Sequence, residues 1–515
     1  MASAERKIVT GESAGEPRGA AIGRLSRNVI WSWAAWAASV VAPLILVPLS
    51  VTCLGAQIYG EWLIILSLTS YLGLANLGLG QTVGNRIAEA VARGRRDEVG
   101  TLVATAFYAY AAVAALILGA VGSAGPWLGR RFLPGGAAIA LLVYVALAAI
   151  AFPFKVHQMM LRGYERVDRE QALEAGGTAA RSALIIGALA AGLKLIAVAV
   201  ISGGAALAAA FGAYLWAVRM NPAARPRRAH FSWPLLCAML KPSAAFLALQ
   251  AGWTLVLGVD NLVIGWALGA GAVTRYAVPF RMIWMAAAAF TVAVNALTPT
   301  VTGNYTRDRR EPLVRGYLMA LRLAILYGVI GAAALWIAGP RLLIRWAGPA
   351  VYPGRTTFAL QIVAFMLLVW NVPSSTIMWA TTRHYWWAAL TIAEGLLNLA
   401  LSLWWVRYWG LAGVIAATIA SSLVTNGWYI TVGAMRTLGL APRRMLGALG
   451  PGALLGAAAI AVFAPAGGTT ALAAARIAAG AALALAFAVI YIMTVFSPIE
   501  RGAMRAWIGW PMAAA

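Results

Sequence analysis

Apolar runs of helical length, separated by short polar breaks, fill the chain from Asn28 to Phe496. A helix needs about 20 apolar residues to cross the hydrocarbon of a bilayer, and about fourteen runs meet that length. The pattern therefore predicts an all-α integral membrane protein with about fourteen transmembrane helices. Within several runs the polar residues recur at helical offsets and so share one face. Span 1 carries Asn28, Ser32, Ser39 and Ser50; span 2 carries Ser67, Tyr71, Thr82 and Asn85. Span 8 continues from Arg281 through Thr291, Asn295, Thr298 and Thr302, and span 11 carries Glu394 and Asn398. A helix packed only against apolar neighbours needs no such stripe, so these faces are expected to line a wet passage.

The pattern also repeats. Adding 214 to a position in the first half reaches its counterpart in the second: Leu54-Gly55-Ala56 matches Leu268-Gly269-Ala270. Arg93, Arg95 and Arg96 match Arg307, Arg309 and Arg310, and Gly125-Pro126 matches Gly339-Pro340. A repeat of six spans keeps its orientation, which predicts two pseudo-symmetric six-helix lobes related by an axis along the membrane normal, with a central cavity between them. The expected organisation is a cytoplasmic tail at 1–27, an N-lobe at 28–218 and a linker at 219–240. A C-lobe follows at 241–434, and two extra helices with a cytoplasmic tail occupy 435–515. Those last two spans have almost no polar residues and read as a peripheral appendage. Asn371-Val372-Pro373 marks an expected kink in span 10, where proline removes a backbone bond.

Two charges stand out because they fall inside spans. Asp260 lies in span 7 and Arg281 in span 8, on either side of a Gly-rich turn, and a depth of roughly 10 Å for each follows from the helical rise. Opposite charges at one depth in a hairpin are expected to pair. Such a pair is either a salt bridge that registers two helices or a functional couple facing a cavity, and the spacing leaves both readings open.

Composition sharpens this picture. The 515 residues are 62% hydrophobic and only 11% charged, and the formal net charge is +24. If the N-terminus is cytoplasmic, about 29 of the 40 Lys and Arg fall in the tails and loops of that side, which is the positive-inside pattern. The excess charge therefore points to an inner-membrane protein with both termini cytoplasmic and a face suited to anionic membrane lipids, and nucleic acid is excluded as a partner. Cys53 and Cys237 fall at opposite faces, too far apart for a disulfide.

Catalytic chemistry is not in evidence. No glycine precedes any of the four lysines, so there is no phosphate-binding loop for ATP. The three histidines, His157, His230 and His384, are scattered along loops as solvated residues, without the spacing of a metal site. No carboxylate-rich loop suits a glycosyltransferase, and the longest outer loop, about 339–356, is too short for a polymerase. The chain reads as a non-enzyme without a cofactor or metal.

The stretch LGAQIYGEWLIILSLTSYLGLANLGLGQTVGNRIAEAVARGRRDEV, together with VDNLVIGWALGAGAVTRYAVPFRM, resembles the Wzx-like polysaccharide flippases of the MOP exporter superfamily, which also holds MurJ and the MATE transporters. The resemblance covers about 24–434, and the last two spans are similar to an extra pair common in that family. It implies a carrier that moves a polyprenyl-diphosphate-linked oligosaccharide across the bacterial inner membrane by alternating access, for lipopolysaccharide or exopolysaccharide assembly. A polysaccharide polymerase and chain-length machinery are the partners it implies, and coupling would use H+ or Na+. By position, the resemblance makes Arg281 a cavity cation and Asp260 its partner or a proton-coupling carboxylate. Asn28, Asn85, Asn295 and Asn398 become sugar or headgroup contacts, Glu394 shares the cavity face of Asn398, and Arg86 at the inner mouth shares the diphosphate. A MATE-like exporter of small molecules and a flippase for the peptidoglycan lipid precursor are the alternatives.

Overall fold

The computed structural model describes residues 18–132, 135–380, 385–463, 473–498 and 500–501, and among them it is all-helical. Ten segments are long and apolar enough to cross a membrane. Two of these, Ile30–Asn76 and Trp387–Leu438, have 47 and 52 residues. At about 1.5 Å per residue each is over twice the thickness of a hydrocarbon core. Each is broken by a glycine: Gly55 has φ 81° and ψ 159°, and Gly410 has φ 54° and ψ −130°. Counting each as two, and adding Val167–Ala190 and Ala473–Val495, gives the fourteen spans that the hydropathy pattern predicts.

Contacts divide the chain into two compact units, Met1–Ala251 and Gly252–Ala515. In the first unit α1 (Arg18–Ser70) bends at Gly55 and passes through a 3-10 turn (Tyr71–Asn76) into α2 (Leu79–Ala92). There follow α3 (Arg96–Phe132), α4 (Gly136–Ala151), the short α5 (Lys155–Gly163), α6 (Val167–Ala190) and α7 (Leu195–Met220). Helix α8 (Trp233–Leu268) belongs to both units, its first half to one and its second half to the other. The second unit continues with α9 (Ala270–Asn295), α10 (Thr298–Thr306), α11 (Arg310–Ala347) and α12 (Arg355–Ala380). Its remaining helices are α13 (Tyr385–Val424), α14 (Asn426–Leu438), α15 (Pro442–Phe463) and α16 (Ala473–Val495).

The division falls inside α8 at Ala251/Gly252 and not in the 219–240 segment where a linker is expected. That segment is not loosely strung. It forms 3-10 turns at Pro222–Ala224 and Arg228–His230, and Ala224 and Leu236 join the buried core of the first unit. Its fold also moves His157 out of solvent. The ring is fully buried on α5, with Nδ1 3.1 Å from the Phe154 carbonyl and Nε2 3.2 Å from the Ala224 carbonyl. The expectation of a solvated loop histidine fails here because the chain stays helical after α4 and the 222–224 turn closes over it. His384 lies outside the described residues. Within the same unit, buried Asp168 draws in Arg27, Arg166 and Arg169 at 3.9, 3.2 and 3.7 Å, which ties the start of α1 to α6.

The repeat is visible in the backbone. Gly269, at the α8–α9 turn, has φ 85° and ψ 166°, nearly the conformation of Gly55. Gly94 and Asp308 occupy matching positions and both have positive φ, 73° and 50°. Glycine tolerates that region freely while an aspartate does so at some cost, so the turn geometry is kept even where the glycine is not. Helices α3 and α11 start at positions 214 apart, Arg96 and Arg310.

Helix α12 continues through Pro373. Ser375 and Thr376 hydroxyls both donate to the Val372 carbonyl beside the proline, at 2.9 Å each, and the helix runs on to Ala380. Nor are the last two helices loosely attached. Arg322 on α11 forms an ion pair with Glu500 at 2.7 Å and donates to the Ala448 carbonyl on α15, while Tyr491 on α16 donates to the Arg322 carbonyl.

Tight packing makes a stability prediction. Gly78 has φ +66°, and a Cβ there would collide with the backbone carbonyl of Ser243. Gly78→Ala is therefore expected to cost about 2 kcal/mol or more. Gly204→Ala, where a Cβ meets open space, should be near neutral, and thermal unfolding of the two variants in detergent compares them.

Candidate functional site: a buried carboxylate in the second unit

Asp260 sits on the second half of α8 and is 6% exposed. It is brought against α13 by small residues: a Cβ on Gly252 would lie 2.9 Å from the Thr391 carbonyl carbon, and one on Gly395 would lie 2.5 Å from Leu255 Cβ. Glycine pairs of this kind let helix backbones approach closely. Asn398, one turn beyond Gly395, then reaches the carboxylate, its Nδ2 donating to Oδ1 at 3.0 Å. The Tyr276 hydroxyl on α9 donates to Oδ2 at 2.5 Å, and Thr418 Oγ1 on the second arm of α13 lies 3.0 Å from the same oxygen.

All three partners are neutral. Among the described residues no ion pair to Asp260 is found. A buried carboxylate satisfied only by neutral donors keeps its full charge uncompensated, a costly arrangement in hydrocarbon. The surroundings suit the protonated acid as well. Thr418 Oγ1 also lies 3.2 Å from both Asn398 Oδ1 and the Val414 carbonyl, so its single proton can turn away from Asp260 and leave the hydroxyl oxygen to accept. The same oxygens, from a carboxylate, an amide and two hydroxyls, are hard ligands of the type that a small cation takes.

A second buried acid lies one turn along α13. Glu394, 6% exposed, accepts from Asn426 Nδ2 and is also bonded by Ser422 and Thr425. Asn426 begins α14 just past a break in the helix at Thr425 (φ −113°, ψ −94°). Its Nδ2 also donates to Thr391, while its buried Oδ1 has no partner among the described residues. An interrupted helix edged by buried polar groups is the usual way a membrane protein frees backbone and side-chain oxygens for an ion or solute.

The expected Asp260–Arg281 pair is not formed. Arg281 is exposed and makes no ion pair with Asp260. Two physical reasons account for this. Arg281 lies several residues deeper along α9 than Asp260 lies along α8, and it is rotated roughly 140° about the helix from Tyr276, which occupies the face turned to Asp260. Asn295, on the same stripe as Arg281, is exposed and accepts from Thr376 at 3.2 Å.

Of the remaining residues, Asn85 and Arg86 are on α2 of the first unit. Asn85 accepts from Gln81 at 3.3 Å and Arg86 donates to the Ala238 carbonyl at 3.3 Å. The Asn28 side chain lies outside the described residues. The structure thus brings together Asp260 and Asn398, with Glu394 adjacent, and leaves Arg281 and Asn295 on a separate exposed face of α9. Sequence reasoning missed Tyr276, Thr418 and Asn426. A signal for two of them existed in the stripe Thr418, Ser421, Ser422, Thr425, Asn426 within an otherwise apolar span.

The architecture has close parallels among solved structures. An inward-facing multidrug resistance MATE family transporter of the MOP superfamily matches with a TM-score of 0.62 at 16% identity, over 81% of this chain and 98% of that one. The lipid II flippase MurJ in an inward closed conformation matches with a TM-score of 0.67 at 9% identity, over 90% of this chain and 99% of that one. This is the fold of the MOP superfamily transporters. A further transporter of that superfamily, from Pyrococcus furiosus and described by a reversed polarity of its binding pocket, matches with a TM-score of 0.53 at 18% identity, over 81% and 96% of the two chains. No family model matches the sequence, and no curated protein does. These neighbours are two transporters and a flippase, and the shared all-α fold accords with the ten segments of this chain that are long and apolar enough to cross a membrane.

The hydrogen-bond arrangement predicts distinct costs. Tyr276→Phe removes one donor from a buried carboxylate and should destabilise the protein by about 1–3 kcal/mol. Arg281→Gln removes no bond and should stay within about 0.5 kcal/mol, with thermal unfolding in detergent as the measurement.

Proposed function

We propose that this protein is a flippase that moves polyprenyl-diphosphate-linked oligosaccharide across the bacterial inner membrane by alternating access, with Asp260 as the site of the coupling ion. The observation that carries the ion site is the uncompensated carboxylate, held by Tyr276, Asn398 and Thr418 in a geometry compatible with both a charged and a protonated state. A group that gains and loses a proton, or exchanges it for Na+, changes the local charge at that point. Such a change can bias a two-state transporter by the difference in binding free energy between its states.

Two features support a lipid-linked substrate over a small free solute. The likeness to MurJ covers 90% of the chain, against about 81% for the MATE transporters reported above. The sequence resemblance to polysaccharide flippases points the same way. The exposed stripe with Arg281 and Asn295 on α9 of the second unit is proposed to meet the diphosphate and sugars. Arginine suits that role because its planar fork matches phosphate oxygens.

Loss of the gene should leave lipid-linked glycan on the cytoplasmic leaflet, read by protease- or lectin-free chemical labelling of inverted and right-side-out vesicles. Normal surface glycan in a strain without a paralogue would refute the proposal. Hypersensitivity to drugs without a glycan defect would instead identify an exporter of MATE type, and arrest of wall synthesis a peptidoglycan-precursor flippase. Asp260→Asn should reduce transport about tenfold or more, equivalent to at least ~1.4 kcal/mol, while retaining near-native unfolding behaviour. Arg281→Ala should weaken substrate capture with the response to the ion gradient preserved.

A further inference from the structure

The second unit carries an uneven charge distribution that the transport reading does not use. Between Pro312 and Ile499 the sequence has a single carboxylate, buried Glu394. At the ends of α9, α11, α12 and the first arm of α13 that lie opposite the Arg307–Arg310 loop stand Arg275, Arg341, Arg345, Arg355 and Arg407. Of these, Arg275, Arg345, Arg355 and Arg407 are exposed and pair with no carboxylate among the described residues. An acid-free rim of arginines at a membrane surface attracts phosphate.

One member of the rim opens onto a cavity. A groove of about 700 Å³ runs between α12 and the second arm of α13, lined by Arg355, Thr356, Leu360, Trp409, Ala412 and Ala416. That volume is in the usual range for a small-molecule site. Its two ends differ in chemistry. Arg355 and Thr356 are exposed at the mouth, and Trp409, 58% exposed, forms a wall beside them. Leu360 lies five residues into α12 and Ala416 six residues past Gly410, so the apolar floor descends roughly 8–9 Å from the mouth. The small side chains of Ala412 and Ala416 leave the room. A cationic, hydroxylated mouth above an apolar trough has the profile of a lipid, with its head at the interface and its chain along the helices.

We infer that this groove binds a phosphodiester lipid of the bilayer, with its phosphate on Arg355 and Thr356 and an acyl chain along Leu360, Ala412 and Ala416. Charge selects this occupant. The groove offers one guanidinium, which balances the single charge of a phosphodiester and falls short of a diphosphate. The tryptophan suits the same depth, since its ring is amphipathic and favours the headgroup level.

The test is native mass spectrometry of the full-length protein titrated with phosphatidylglycerol, phosphatidylcholine or a polyprenyl diphosphate. The wild type should retain phosphatidylglycerol over phosphatidylcholine, and Arg355→Gln should cut that preference by about fivefold. Arg355→Lys should keep most of the preference. Arg407→Gln, on the rim but outside the groove, should leave it unchanged, which separates the site from the general attraction of a basic protein. Ala412→Trp should fill the trough and lower retention of both phospholipids with the arginine still in place, and unfolding in detergent verifies that each variant is folded. Equal losses in Arg355→Gln and Arg407→Gln would overturn the proposal, as would unaltered retention in folded Ala412→Trp. Preferential binding of the polyprenyl diphosphate at Arg355 would overturn the assignment to a phosphodiester.

Discussion

A carboxylate held among apolar helices by neutral donors alone is the constraint around which the second unit is arranged. Asp260 needs three partners from three directions, and they come from α9 and both arms of α13. To deliver them, α8 and α13 must touch along Gly252 and Gly395, where any larger side chain would hold the backbones apart. The break at Thr425 and the Glu394–Asn426 bond lie one turn further along the same face. Both buried acids of the second unit thus lie close together along α13, Glu394 on it and Asp260 bonded to it. Burying the acid without a counter-charge costs stability that a salt bridge would have partly recovered. A fold that retains such a residue keeps a place where a proton or cation makes a large energetic difference.

The two units share a plan without sharing this chemistry. Gly55 and Gly269 turn the chain in the same way, and the turns at Gly94 and Asp308 have the same handedness. At the positions 214 residues before Asp260 and Tyr276 stand Leu46 and Trp62. Trp62 packs edge-on against Tyr144, with ring centres 5.5 Å apart, and serves an apolar contact where its counterpart serves a polar one. The backbone repeat thus supplies a common scaffold, and the buried carboxylate with its neutral donors belongs to the second unit.

Much of this architecture could be read from the chain itself. Hydropathy gave the number of spans because membrane thickness sets a fixed length for an apolar helix. The repeat was legible because turns demand particular backbone conformations, and glycines and charged loops mark them. The partner of Asp260 was not legible. Hairpin spacing constrains depth, but it says little about rotation about each helix axis, and Arg281 faces elsewhere for that reason. Two of the true partners, Asn398 and Thr418, lie 138 and 158 residues away in sequence. Only packing of α13 against α8 selects them. His157 was misjudged for a related reason, since a loop position in sequence does not reveal that the 222–224 turn will cover it.

The Arg322–Glu500 ion pair has a consequence for how the molecule is made. The two residues are 178 positions apart, so at a synthesis rate of about 5–20 residues per second the arginine waits roughly 10–35 s for its acid to leave the ribosome. During that interval α11 carries an unneutralised guanidinium within an apolar helix. The closing stitch of the second unit must therefore form only after Glu500 has been made, long after α11 itself, and a nascent chain interrupted before Glu500 would present quality-control proteases with an exposed, cation-bearing span.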